Sequence, residues 1–255
     1  MDRKIRVGAV SYLNTKPLIY GFEKGMMKET VELIINYPAI IATQLIKDEI
    51  DIGLIPVAVI PQLKECHIIS DFCIASDGEV ASVCLFSEVP LNEIKTILLD
   101  YQSRTSVALL KVLLKEHWKI SPNLVSASEG YESTISGTTA GLVIGDRALV
   151  QRLQSKFIYD LGAAWKEMTG MPFVFAAWVS NKELSPEFIA AFNKANEFGL
   201  ANIDAVVNEN IYTVYDLHKY YTSNIKFKPT FNKLEVISLF LEKIKGINEV
   251  ATESR

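Results

Sequence analysis

The sequence predicts an α/β protein of two lobes, each a mostly parallel sheet flanked by helices. Three observations predict it. Short β-branched runs alternate with amphipathic stretches at βαβ spacing, as in Val31–Asn36, Ile40–Lys47 and Asp51–Val59. The last of these, DIGLIPVAV, is a continuous apolar run, the pattern of a strand covered on both faces. The segments DIGLIPV and AGLVIGD then repeat one design in the two halves of the chain: a helix, a short break, a buried strand and a polar turn.

The stretch Gly8 to Leu18, GAVSYLNTKPL, organises the first lobe. Ile5, Val7, Ala9 and Val10 predict a buried first strand, which gives way to a polar turn at Ser11 to Thr15. Pro17 falls in the first turn of a helix, where its missing N–H has no intrahelical partner to lose. Asn14 or Thr15 is then the expected N-cap. A strand, a polar turn and a helix start form either a capped turn or an anion site.

Further on, Glu79–Ser87 reads as a strand, Ile94–Leu99 as another, and Val107–Trp118 as an amphipathic helix. Gly141–Ile144 and Pro172–Ser180 are apolar strands, and helices are expected over Pro186–Ile203, Ile211–Tyr221 and Thr230–Lys245. The last nine residues, INEVATESR, read as a disordered tail. No flexible linker divides the chain, so two crossing strands, Glu79–Ser87 and Pro172–Ser180, would join the lobes. The expected bounds are 1–88 with 178–255 for the first lobe and 89–177 for the second. Strand carboxyl ends would face a ligand cleft between them.

At 255 residues, with 49% hydrophobic and 22% charged residues, the chain is long enough for two cores. A net charge of −4 argues against nucleic acid or an anionic membrane as partner. No stretch approaches the roughly 18 apolar residues of a membrane span, and the chain enters a strand without a leader-like apolar region. A cytoplasmic protein is expected. Cys66, Cys73 and Cys84 fit no metal or redox spacing and read as reduced, buried thiols. His67, His117 and His218 stand singly, with no partner spacing for a metal or a triad. P-loop, GxGxxG and GxSxG patterns are absent, so ATP, dinucleotide and serine-hydrolase chemistry have no support, and no cofactor is expected.

The second lobe carries the sharper anion site. In Asp100-Tyr101-Gln102-Ser103-Arg104-Thr105-Ser106, Ser103 is a natural N-cap, and Thr105 and Ser106 add hydroxyls in the first helical turn. Arg104 there opposes the helix dipole by a few tenths of a kcal/mol. Either an anionic ligand answers that charge, or Arg104 pairs with Asp100 or Asp146. Asp146, after the strand-end Gly145, is a base or a helix cap. Ser82, in a crossing strand, is a site residue or a structural serine.

VGAVSYLNTKPL, DIGLIPV, EVASVCLFS, LLDYQSRTSVALLKVLL, GLVIGDRAL, YDLGAAW and TGMPFVFAAW together resemble the menaquinone-biosynthesis enzymes of the futalosine pathway. The resemblance is nearest to the branch that acts as chorismate dehydratase, and it runs from about Ile5 to Trp178. It implies a two-lobed fold of the periplasmic-binding-protein type (type II), used as an enzyme. The implied substrate is the dicarboxylate chorismate, which loses water to give 3-[(1-carboxyvinyl)oxy]benzoate. The resemblance carries over Asn14 and Ser82 as catalytic residues. It carries over Ser11, Ser103, Arg104, Thr105 and Ser106 as substrate-binding residues, with Thr169, Gly170 and Met171 lining the cleft. Thr15 and Asp146, from the turn and strand-end positions, are expected to join the substrate-binding set. The base is a substrate carboxylate or Asp146. At Tyr37-Pro38-Ala39 the chain departs from the Pro-Ser that relatives often have, so a hydroxyl ligand is absent there. Two rival readings are a binding protein for a small organic anion and the sister enzyme that forms a dihydroxynaphthoate.

Overall fold

The computed structural model describes residues 3–253, in which short strands alternate with helices as the sequence pattern predicts. The strands are β1 (Ile5–Val10), β2 (Val31–Asn36), β3 (Ile52–Pro56), β4 (His67–Ser76), β5 (Val83–Ser87), β6 (Thr96–Leu99), β7 (Asn123–Ser126), β8 (Thr139–Ile144), β9 (Phe157–Asp160) and β10 (Phe173–Ser180). The helices are α1 (Lys16–Glu23), α2 (Pro38–Ile46), α3 (Arg104–Val112), α4 (Gly145–Gln151), α5 (Leu161–Thr169), α6 (Pro186–Ala201), α7 (Ile203–Glu209), α8 (Leu217–Lys219) and α9 (Lys233–Glu253).

Two units result. The first runs to Ala75 and resumes over Val174–Thr230; the second is Ser76–Phe173 plus the chain from Phe231. Each holds one five-stranded sheet, in the orders β2-β1-β3-β10-β4 and β7-β6-β8-β5-β9. In the first, β1 runs parallel to β2 and β3, while β10 is antiparallel to β3. In the second, β6 is parallel to β7 and β8, and β5 runs antiparallel to both β8 and β9. Both sheets are mixed, and in each the fourth strand runs antiparallel to the third. The similar segments DIGLIPV and AGLVIGD supply the third strand of each sheet, β3 and β8, both fully or almost fully buried.

In the first unit, α1 lies backbone to backbone on α6. A Cβ on Gly21 would stand 2.2 Å from the Ala195 carbonyl oxygen, and one on Gly199 would stand 1.8 Å from that of Pro17. This contact fixes the helix that follows the opening motif. Beneath it, buried Trp178 donates its indole N–H to Asn196 Oδ1 at 2.9 Å and meets the Phe192 ring edge-on. At the amino end of β3, buried Asp51 accepts from Arg3, Arg6 and Lys182 side chains and from the Arg6 backbone N–H. Burial works against its charge, but these donors outweigh it and hold the carboxyl below the usual range.

Several elements differ from the sequence expectation. The C-terminal segment belongs to the second unit because Phe240 of α9 packs on Trp165 and Phe173, with ring centroids 5.9 and 4.8 Å apart. The division therefore falls at residues 75/76, 173/174 and 230/231 rather than at the expected bounds. The expected tail continues α9 as far as Glu253, and the last two residues lie outside the described ones. Residues 211–216 are not helical; α8 starts at Leu217, where the Asp216 side chain accepts the Lys219 N–H. The helix expected from Val107 starts at Arg104 and turns to π geometry over Leu113–Trp118. Strands β4, β7 and β9 and helix α5 had no sequence expectation. Cys73 and Cys84 are buried as expected, but Cys66 is exposed, and all three are free thiols. No helix among the described residues is long and apolar enough to cross a membrane.

Candidate active site

In the first unit the opening motif leaves the carboxyl end of β1, where Ser11 donates its N–H to the Asn36 carbonyl at the end of β2. Ser11 is exposed and Asn14 half-buried, while Thr15 is fully buried. Neither Asn14 nor Thr15 caps α1 through its side chain. A single 3-10 turn, Leu13–Thr15, leads into the helix instead, with the Thr15 N–H bonded to the Tyr12 carbonyl. The Thr15 hydroxyl donates sideways to Asn14 Oδ1 at 3.4 Å. Pro17 stands in the first turn of α1, as its missing N–H allows.

The second unit gathers most of its predicted residues along one sheet edge. Strands β6, β8 and β9 end there, and β5 begins there, with Val83 opposite Ile144 and Cys84 opposite Asp160. Asp100, Gly145 and Ser82 are thus neighbours across strand ends. The Gly145 N–H donates to the Ser82 carbonyl at 2.8 Å. Asp146, half-buried, lies in the first turn of α4, which follows β8 without a loop.

Ser103 caps α3 as expected, accepting the Ser106 N–H on Oγ at 3.0 Å. Thr105 and Ser106 are buried, whereas Arg104 is exposed. Asp100, one residue past β6, is already committed. It accepts the Gln102 N–H on Oδ1 at 2.8 Å, and the Tyr131 hydroxyl and Arg147 Nη2 on Oδ2 at 2.9 and 2.7 Å. Arg147 also donates to Glu132 and to Gln102 Oε1, and its guanidinium lies 5.1 Å from the centre of the Tyr101 ring. Burial works against the Arg147 charge, but Asp100 and Glu132 more than offset it, so the guanidinium stays protonated. Burial and the Asp100 charge together push the Tyr131 hydroxyl far up, which keeps it a donor.

Ser82 is fully buried, and the expected strand does not begin until Val83. The cause is Asp160. Its Oδ1 accepts the N–H groups of Val80, Gly162 and Ala163, and its Oδ2 accepts that of Ala81 at 2.8 Å. One carboxylate therefore caps α5 and holds the turn before Ser82. Arg152 braces the same turn from the Ala81 carbonyl and Glu79. Burial pushes the Asp160 carboxyl up, against the pull of the Val80, Ala163 and Ala81 N–H groups.

Thr169, Gly170 and Met171 are not brought to that edge. They close the far end of α5, about 13 Å of helix from the Asp160 cap. Gly170 takes the left-handed C-cap conformation (φ 71°), and the Thr169 hydroxyl is spent on the Trp165 carbonyl and the Met171 N–H. Arg147 and Asp160 were not singled out in the sequence. A legible signal existed for both: each is charged and stands at or just behind the end of a strand, in GDRAL and YDLGAAW. No group of acidic, His or Cys residues able to hold a metal ion occurs among the described residues.

Comparison with known proteins agrees with this architecture. The chain is 29% identical to chorismate dehydratase of Thermus thermophilus over 220 residues, 78% of this chain and 79% of that protein. It is 27% identical to chorismate dehydratase of Campylobacter jejuni over 254 residues, covering 94% of this chain and 98% of the relative. The periplasmic aliphatic sulphonate binding protein SsuA of Escherichia coli shares its fold with a TM-score of 0.63. That likeness comes at 13% identity and covers 99% of this chain and 94% of the other. The fold is thus of the periplasmic-binding-protein type. A family model described as menaquinone biosynthesis matches residues 5–245, and the chain belongs to that family.

Proposed function

We propose that this protein is a hydro-lyase that converts chorismate to 3-[(1-carboxyvinyl)oxy]benzoate and water, in the futalosine route to menaquinone. The observation that carries the reading is the likeness to two chorismate dehydratases over most of the chain. Within that likeness, SYLN and DYQSRTS lie directly after the carboxyl ends of β1 and β6. Three free cysteines, one of them exposed, fit a reducing compartment such as the cytoplasm.

The chemistry asks little of the protein. Loss of the ring C3 proton and the C4 hydroxyl makes one water and leaves an aromatic ring, so the step runs strongly downhill. Positioning and exclusion of water can supply much of the rate. Chorismate carries two carboxylates, and each unit presents a helix start, α1 and α3, that follows a strand, β1 and β6. Asn14 and Ser11 orient the substrate from the first unit. Ser103 to Ser106, with Arg104 as the cation, bind a carboxylate from the second. Ser82 acts from the turn beside Gly145, and the base is a substrate carboxylate or Asp146. Thr169, Gly170 and Met171 enter the proposal on the resemblance alone.

The fold it shares with a sulphonate binding protein favours one second reading, a binding protein for a small organic anion. One assay separates them. Incubation with chorismate should yield the aromatic ether, read by absorbance and mass. Unchanged chorismate, with calorimetric binding intact, would replace the enzyme by the binding protein.

A further inference from the structure

Arg147 joins three segments that the sequence leaves far apart. Two residues before it, Gly145 holds the carbonyl of Ser82 at 2.8 Å. Its own guanidinium holds Asp100 at 2.7 Å and Gln102 Oε1 at 3.1 Å, and pairs with Glu132. Asp100 in turn accepts the Gln102 N–H, which closes the turn that ends in the Ser103 cap of α3. The Asp100 side chain is fully buried and that of Arg147 about a quarter exposed (28%), so the pair sits under the turn rather than beside it.

We propose that Arg147 is a positioning residue for the substrate, fixing residues 100–106 against the end of β8 so that the start of α3 is formed before a carboxylate arrives. This rests on the reading of residues 103–106 as substrate-binding. The shape of the side chain matters as much as its charge. One planar guanidinium reaches three acceptors, two of them through one nitrogen, while its central carbon stands over the Tyr101 ring. A lysine ammonium keeps the charge but cannot satisfy that set from one position. Pre-forming a binding turn saves the ordering cost at the moment of binding, so its loss appears in substrate affinity.

The test is Arg147→Lys, with Arg147→Met beside it, assayed on chorismate by steady-state kinetics and by hydrogen exchange of the free protein. Arg147→Lys should raise KM at least about tenfold, the factor of 1.4 kcal/mol in binding, with kcat and thermal stability near wild type. Amides in residues 102–106 should exchange faster in both variants without substrate. A purely structural role would instead lower the melting temperature and apparent kcat at unchanged KM, and would overturn the proposal. Unchanged KM with unchanged exchange would overturn it too. If wild-type protein neither binds nor converts chorismate, the functional reading itself falls, whatever the variants do.

Discussion

Ala81 holds a left-handed backbone, φ 65°, with its N–H given to Asp160 Oδ2 at 2.8 Å. An alanine there costs about 1 kcal/mol against an ordinary conformation, so something must over-determine it. Asp160 does so, since the same carboxylate also takes the Val80 N–H and the first amides of α5. The turn that delivers Ser82 is thereby fixed to the second unit.

Asp160→Asn puts an amide N–H where one of these donors now points. Losing hydrogen bonds to a charged group costs about 1.5–3 kcal/mol each, so unfolding in urea should show a loss of at least about 2 kcal/mol. A midpoint equal to wild type would mean the turn holds without the carboxylate.

Asp51 gives the fold an acid dependence. Its folded carboxyl lies below the usual range, so its contribution is complete above the unfolded carboxylate pKa of about 4 and is lost progressively as pH falls from there toward the lower folded value. Asp51→Asn should cost about 3 kcal/mol at pH 7, the lower end for a broken buried pair, because Arg3 and Lys182 are partly exposed. The gap to wild type should narrow progressively below pH 4. A gap that stays constant down to pH 2 would contradict the linkage.

Gly199 sets how closely α6 approaches the helix of the opening motif. A methyl group 1.8 Å from the Pro17 carbonyl oxygen has no room, and both partners are helix backbone. Gly199→Ala should therefore destabilise by about 2 kcal/mol or more and lower turnover by shifting α1. Wild-type stability would show that the two helices separate without cost.

Arg104 stands exposed at the first position of α3, where its charge opposes the dipole. Arg104→Ala should weaken chorismate binding by about 1.5–3 kcal/mol, while stability holds or rises slightly. Calorimetry and thermal melting read the two separately. Normal affinity with a lowered melting temperature would make Arg104 a structural ion-pair member.

Asn14 makes no cap bond, so Asn14→Asp has no helix start to repair and should leave the melting temperature near wild type. Beside a dianionic substrate the new carboxylate would meet like charge, about 4 kcal/mol at 4 Å and an effective dielectric of about 20. It also lacks the amide donors. Turnover should fall at least about a hundredfold, roughly 2.7 kcal/mol. Full activity in the folded variant would remove Asn14 from the site.

Continuous apolar runs identified β3 and β8 and, through their likeness, the shared design of the two sheets. Burial on both faces leaves no other composition open, so that signal survives in a single sequence. The Ser103 cap was equally legible, because capping is a bond within four residues. Tertiary contacts decided the rest. Edge strands β7 and β9 are half-exposed or exposed along their length and form by pairing with β6 and β5, with no apolar run to announce them. Thr15 stands at the N-cap of α1 as expected, but it is reached through a 3-10 turn and makes no side-chain cap bond, and α9 joined the second unit through Phe240, far from Trp165 in sequence. Arg147 and Asp160 gain their roles from partners tens of residues away. Local pattern determines which segments become strands and helices; which charged side chain ends beneath which turn is settled only when those segments pack.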